Sequence, residues 1–379
     1  MRKRVWQLAG LVLLSLAVVA FGCGKEPAGS QFAYVANAAD GTISILKVNR
    51  NTGALTFLAA IQTGKVPSSA TVDPAGRYLF VPNAKSNDVS VFAIHPKTGL
   101  LTLLQSVTMK SGWGPLAVLV HPSNQYAYAL QGMSGGVAGF PLEAVAGIRD
   151  EMPGSPFHAP AMRFADHALF DSTGRFAYLS SRSDHMLAAF AVSPLSGAWT
   201  AVDSPAPPVG PFPGTLTMEA SGRFVYVSAQ NGLWIYRADR ETGLLRVVEG
   251  SPFSVSGGPD LAHPSGKYLF GGTGAGVVFS YRIDENDGTL QLLGGPSTVN
   301  RPISSLAIAS SGRFLYATNY ESDRVYGFHV TESGGLDPVK GAPFSVINGA
   351  RSAAAMPKSG EYSFEPNDAT WIALTPEYP

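Results

Sequence analysis

Apolar and polar positions in this chain alternate in short runs, the two-residue period of half-buried β-strands, and Gly and Pro turns separate the runs. Residues 65–107 show one full unit. Ser68-Ser-Ala-Thr-Val72 is small and β-branched, which suits a crowded innermost strand. Asp73-Pro-Ala-Gly76 is a turn, because Pro presets φ and Gly accepts a positive φ. Arg77-Tyr-Leu-Phe-Val81 is a second strand with both aromatics on one face. A polar loop, Asn83–Asp88, leads to a third strand, Val89–Ile94. A His95-Pro-Lys-Thr-Gly99 turn then leads to an outer strand, Leu100–Leu104.

The unit repeats. Gly76-Arg-Tyr-Leu-Phe80 returns as Gly174-Arg-Phe-Ala-Tyr178, Gly222-Arg-Phe-Val-Tyr226, Gly266-Lys-Tyr-Leu-Phe270 and Gly312-Arg-Phe-Leu-Tyr316. Variants stand at Tyr34, Tyr128 and Phe364, so the second aromatics recur every 44 to 50 residues. A period of that size in an all-strand pattern predicts an all-β fold, a β-propeller with one four-stranded antiparallel blade per repeat. A second signature follows the outer strands: Gly154-Ser-Pro-Phe157, Gly250-Ser-Pro-Phe253 and Gly341-Ala-Pro-Phe344. Blade 3 departs from the pattern, with a short third strand expected at Val137–Phe140.

Closure sets the blade number. The chain enters at a second strand, so one inner strand is missing at the start and must come from the end. Arg351-Ser-Ala-Ala-Ala-Met356 reads as that inner strand, which gives seven blades and no open edge. Eight blades is the alternative. The predicted divisions are a signal at 1–22, a tether at 23–30, the propeller at 31–356 and a tail at 357–379, although Thr370–Leu374 has the look of a third strand. Strand direction brings the loops after the second strands, and the links from outer to next inner strands, to one rim. That rim, the top mouth of the axial channel, is the expected ligand site.

The N-terminus is of another kind. Arg2, Lys3 and Arg4 precede a largely apolar run from Val5 to Phe21, then Gly22 and Cys23, the order of an export signal. Ala20-Phe-Gly-Cys23 resembles a lipobox, so lipidation of Cys23 and anchoring at a bacterial envelope membrane, facing the periplasm or the exterior, are expected. Cys23 is the single cysteine, so an intrachain disulfide is excluded. With 27 basic and 27 acidic residues, the chain carries no basic stripe for nucleic acid. A monomer is expected.

The Gly-Arg-Phe-x-Tyr repeats, the Asn-x-x-x-Ser-x-Phe continuation, the Thr-Gly-Leu-Leu turn and the Gly-Ser-Pro-Phe ends resemble the lactonase-type seven-bladed propellers. These include bacterial 6-phosphogluconolactonase and the fungal carboxymuconate cyclases. The resemblance spans about residues 31–356. It implies charged groups at the mouth: an Arg-His pair, a Glu and a later Arg. Those places hold Gly214 and Thr215, Gln230, and Ser304 here. Neutral groups cannot replace a base or an anion clamp. A ligand- or protein-binding module is therefore the expected role, with a lactonase acting on an anionic sugar lactone as the alternative.

Candidate chemistry gathers in blade 4. His158, Asp166, His167, Asp184 and His185 are all placed at the top, with Asp166 and His167 the candidate catalytic pair. Alternation turns adjacent side chains opposite ways, so Asp166 and His167 cannot both face the channel. Lys65, Arg163, Arg182, Arg301 and Arg351 could form a funnel for a small anionic ligand, or could be solvated rim charges. His121 and His263, in His-Pro turns at the bottom, are expected to be structural. No metal site and no cofactor are predicted. Gly271–Gly276 is Gly-rich, but it links strands rather than opening a helix.

Overall fold

A computed structural model describes residues 31–110, 114–131, 136–143, 147–202, 207–255, 257–295, 297–299, 301–319, 322–346 and 371–375. Among the described residues every regular element is a strand. They form seven antiparallel sheets of four or five strands, each in the order inner, second, third, outer. The inner strands touch one another in sequence round a ring, and Ile303–Ile308 of blade 7 meets Trp371–Leu374, which meets Thr71–Val72 of blade 2. Seven blades therefore close on themselves, and eight are excluded.

The closing strand differs from the expected one. Trp371–Leu374 pairs antiparallel with Gln31–Asn37, with Ala33 opposite Leu374 and Ala36 opposite Trp371. It supplies the inner strand of blade 1. The propeller thus extends into the segment expected to be a tail, and Arg351–Met356 lies outside the described residues. The physical reason is burial. Ile372, 2% exposed, fills the cluster of Val35, Leu46, Tyr316 and Val325 at the seam between blades 7 and 1. A run of alanines has no side chain large enough to do so. Thr375 completes the seam: its Oγ1 accepts from the Phe32 amide at 2.9 Å, and Gln31 Nε2 donates to its carbonyl at 3.0 Å.

The repeated motif explains how blades adhere. The second aromatic of one blade donates its hydroxyl to the glycine carbonyl of the next blade's outer turn. Tyr34 reaches Gly99 at 2.8 Å, Tyr128 reaches Gly197 at 2.7 Å and Tyr226 reaches Gly288 at 2.9 Å. Tyr316 of blade 7 reaches Gly53 of blade 1 at 2.8 Å, the same contact across the seam. The bottom turns are pinned as well. Asp73 and Asp171 accept the amides of Tyr78 and Phe176, both at 2.8 Å. His121 Nε2 donates to the Gly174 carbonyl at 2.8 Å, and His263 Nε2 to that of Gly312 at 3.1 Å. Both histidines therefore join neighbouring blades. Blade 3 departs from expectation in one respect: its third strand is long, Gly136–Glu143, and the brief Gly147–Ile148 strand follows.

Candidate functional site at the top of blades 4, 5 and 6

In blades 1 and 2 the top loop is held by the asparagine that ends the second strand. Asn83, fully buried, donates to Asp88 Oδ1 at 2.7 Å and to Ser90 Oγ at 3.0 Å; Asn37 serves Thr42 and Ser44 in the same way. In blade 4 that place is taken by Ser181, and the loop is organised by Asp184 instead. The Asp184 carboxylate accepts the amides of Arg163 at 2.6 Å and Phe164 at 2.9 Å, the Ser181 hydroxyl at 3.0 Å and the Arg163 guanidinium at 3.2 Å. Burial pushes its pKa up, but those donors outweigh it and hold the carboxyl below its usual range. Arg163 thereby gives its Nε to Asp184 while most of its side chain stays exposed.

Asp166 and His167 diverge as alternation requires. Asp166 turns its carboxylate to the Arg182 amide, which donates to Oδ2 at 2.6 Å. His167 opens the inner strand His167–Phe170 opposite Ser180, on the face turned to blade 5, where Leu169 packs. It is half-buried. That burial lowers its pKa to about 4, with Asp166 opposing the shift and Arg182 adding to it. The imidazole is therefore neutral at pH 7. His185 takes a separate role: Nδ1 accepts the Phe212 amide at 2.8 Å, and the rings meet edge-on with centroids 4.6 Å apart.

Arg182 is exposed, and its guanidinium reaches across to blade 5. Its Nη2 lies 3.6 Å from the point that a Cβ on Gly214 would occupy. A cation from blade 4 thus comes within ordinary contact distance of the chain leading into the inner strand of blade 5. Next to it, Thr215 Oγ1 lies 3.4 Å from Ser228 Oγ and 3.4 Å from the Pro259 carbonyl of blade 6. Gly258 permits this closeness, since a Cβ there would sit 1.7 Å from Ser228 Oγ.

Sequence reasoning passed over Asp260. It begins the inner strand of blade 6 and keeps partial solvent contact. The Gly272 amide donates to its Oδ2 at 2.8 Å, and Thr215 of blade 5 stands close by, its Oγ1 3.4 Å from the carbonyl of the preceding Pro259. Burial raises its pKa to about 6, against the lowering effect of the Gly272 amide and of Thr215. The available signal was a carboxylate in Gly257-Gly-Pro-Asp260, where, blade 4 with Asp166 apart, the other inner strands open with small or neutral groups.

The remaining predicted residues are scattered. Lys65 is exposed in the link into blade 2, its amide donating to Ser86 Oγ at 2.9 Å. Arg301 is exposed in the link into blade 7, its backbone against Gly276. Arg351 and Cys23 lie outside the described residues. Among the described residues, Lys65, Arg163, Arg182 and Arg301 thus stand in the loops and links of blades 2, 4 and 7. Among the described residues, no group of three or more His, Cys, Asp or Glu side chains is placed to hold a metal ion.

A closed seven-bladed ring with a polar, partly charged mouth over blades 4 to 6 defines a propeller whose site lies at the channel entrance. The chain matches the profile of the lactonase, 7-bladed beta-propeller family over residues 27–110, 104–258 and 261–358, and it belongs to that family. It is 26% identical over 199 residues to 6-phosphogluconolactonase of Serratia proteamaculans, a match covering 51% of this chain and 59% of that protein. The match thus spans little more than half the length of that curated relative. Among solved structures, a putative 6-phosphogluconolactonase from Bacteroides fragilis superposes with a TM-score of 0.69 at 17% identity, covering 92% of this chain and 98% of the other. The periplasmic gluconolactonase of Pseudomonas aeruginosa gives 0.67 at 18% identity, covering 83% and 97%. At such identities these two likenesses speak for the fold alone.

Proposed function

We propose that this chain hydrolyses a sugar-type lactone at the top mouth and releases an anionic hydroxy acid. The observation that carries the reading is the Arg182 guanidinium standing by Gly214, one residue from Thr215, whose hydroxyl lies 3.4 Å from the carbonyl of Pro259, the residue before Asp260. The expectation of a binding module rested on neutral residues where charged ones were implied. A cation and a carboxylate stand beside those neutral positions, contributed by blades 4 and 6. Ester cleavage in a ring needs a donor for the developing oxyanion, and a planar guanidinium supplies one. Family membership and the printed activity of the Serratia relative support the reaction class.

The test is turnover of a panel of sugar and muconate lactones, followed by acid release at constant pH. The wild type is expected to hydrolyse at least one sugar lactone above the spontaneous rate, and Arg182→Ala to lose roughly 10²–10³-fold in kcat/KM. Absence of turnover across the panel, or an Arg182→Ala variant as fast as wild type, rejects the proposal. The same reading includes the envelope setting: an exported propeller, anchored through a lipid on Cys23, monomeric and meeting its small anionic ligand outside the cytoplasm. The charged, apolar and small segments before Cys23 support it.

A further inference from the structure

Phe212 lies in the link from blade 4 into the inner strand of blade 5, at the top mouth. Its φ is +51°, a left-handed backbone that bulky residues rarely adopt. The turn itself does not call for a ring. Val66, in the link into blade 2, also precedes a proline and takes the same conformation at φ +56°. What sets blade 5 apart is that the side chain is left in water. Phe212 is 51% exposed, and among the described side chains it is the one exposed Phe, Tyr or Trp. It is also braced there. Its amide donates to His185 Nδ1 at 2.8 Å and the two rings meet edge-on. His185 itself has φ +54°, so two strained residues from adjacent blades hold each other. An edge-on contact covers at most one face of the phenyl ring and leaves the other open. The cation is close. Gly214 follows two residues on, so its Cα is within about 7 Å of that of Phe212. Arg182 Nη2 lies 3.6 Å from the point that a Cβ on Gly214 would occupy. An open aromatic face and a guanidinium thus flank one stretch of the mouth.

We infer that Phe212 is the platform that selects a closed sugar ring: its phenyl face stacks on the C–H face of the lactone while Arg182 meets the polar edge, and His185 is the positioning residue that holds the phenyl ring. The inference deepens the hydrolase reading above and rests on it for the identity of the ligand. A hydroxylated ring points its hydroxyls outward and leaves C–H groups, weakly positive, on its faces. The negative face of an aromatic ring attracts them, and the apolar contact removes both surfaces from water. The open-chain hydroxy acid formed by hydrolysis has no such rigid face. The platform therefore favours substrate over product. Phe212 makes and breaks no bond, so its effect falls on KM rather than on kcat.

The experiment makes two measurements on the full chain. One is turnover of glucono-δ-lactone, with spontaneous hydrolysis subtracted. The other is calorimetric binding of glucono-δ-lactam, a ring of similar shape that resists hydrolysis. Phe212→Ala should raise KM and weaken lactam binding by roughly tenfold each, with kcat within about twofold of wild type. Phe212→Tyr keeps the ring and should restore both. His185→Ala should also weaken lactam binding, and combining it with Phe212→Ala should cost nothing further, because the ring it positions is gone. A lower melting temperature for His185→Ala with unchanged binding would reject the positioning role. If Phe212→Ala does not fold, Phe212→Gly, which suits a positive φ, carries the test. Turnover and lactam binding that are unchanged without the phenyl ring overturn the inference and leave the hydrolase reading standing. Lactam held by the wild type through Phe212, with no lactone turned over, overturns the hydrolase reading and leaves the platform standing. A wild type that does not bind the lactam overturns the inference.

Discussion

Gly53 stands at the seam of the ring, and replacing it with alanine should weaken the fold more than the same change at a roomier turn. Its φ is +73°, and a Cβ there would lie 2.4 Å from Cδ1 and 2.6 Å from Cε1 of Phe314 in blade 7. Phe314 is 2% exposed and packed among Tyr316, Val325 and Leu55, so it has nowhere to retreat. Two costs add. A left-handed backbone costs a non-glycine residue about 1–2 kcal/mol. Forcing a methyl into a packed aromatic costs about 1–3 kcal/mol more. The sum is about 2–5 kcal/mol, and the 2.8 Å bond from Tyr316 to the Gly53 carbonyl would be disturbed as well. Gly154 is the control: φ is +80°, the residue is exposed and nothing lies within 4 Å of its Cβ position. Only the backbone cost applies there. At about 2 °C per kcal/mol for a chain of this size, thermal unfolding should drop by about 2–4 °C for Gly154→Ala and about 4–10 °C for Gly53→Ala. Equal drops would refute the steric account of the seam.

Asp260→Asn should stabilise the protein at pH 7. The native carboxyl is raised to about 6 from an ordinary value of 3.8, so its ionised form penalises the fold above pH 6, and the penalty fades as pH falls toward 4. Chemical unfolding should show a gain of about 2–3 kcal/mol at pH 7 and none near pH 4; a uniform gain or a loss at neutral pH contradicts that burial. His167 works the other way, since a lowered pKa removes stability as pH falls from 6.5 toward 4, so the comparison is made against wild type at each pH. Cys23→Ser should move the protein from the membrane to the soluble fraction after cell disruption, and unchanged partitioning would reject the lipid anchor.

The architecture was legible because each blade spends its sequence on the same contacts. A tyrosine hydroxyl at the second strand and a glycine carbonyl at the next outer turn meet from blades 1, 3, 5 and 7. The repeat in the chain is therefore a repeat of an interface. The closing strand was misread for a related reason. Small residues mark inner strands in the middle of the ring, as at Ser68–Val72, and Arg351–Met356 shares that look. The seam asks for volume as well, which Ile372 supplies. Small size is a property of channel crowding, whereas the seam is a packing problem between the two chain ends.

The site was much less legible, because it is assembled from the places where the repeat fails. Asp166 and His167 were visible as charged residues in an otherwise small strand, and Arg182 as a loop cation. What their side chains do depends on neighbours in other blades. Gly214, read alone, is the loss of a family arginine; in the structure a guanidinium from blade 4 lies in contact distance of it. Asp260 has Thr215 for a neighbour, 45 positions earlier in the chain. In a propeller each inner strand shows one face to the blade before and one to the blade after. A functional pair is therefore separated by about one repeat and leaves no local motif. Comparing equivalent positions across successive repeats, and asking which one carries an unmatched charge, is the reading that singles out Asp260. The scaffold motifs conceal it, since they are by construction what every blade has in common.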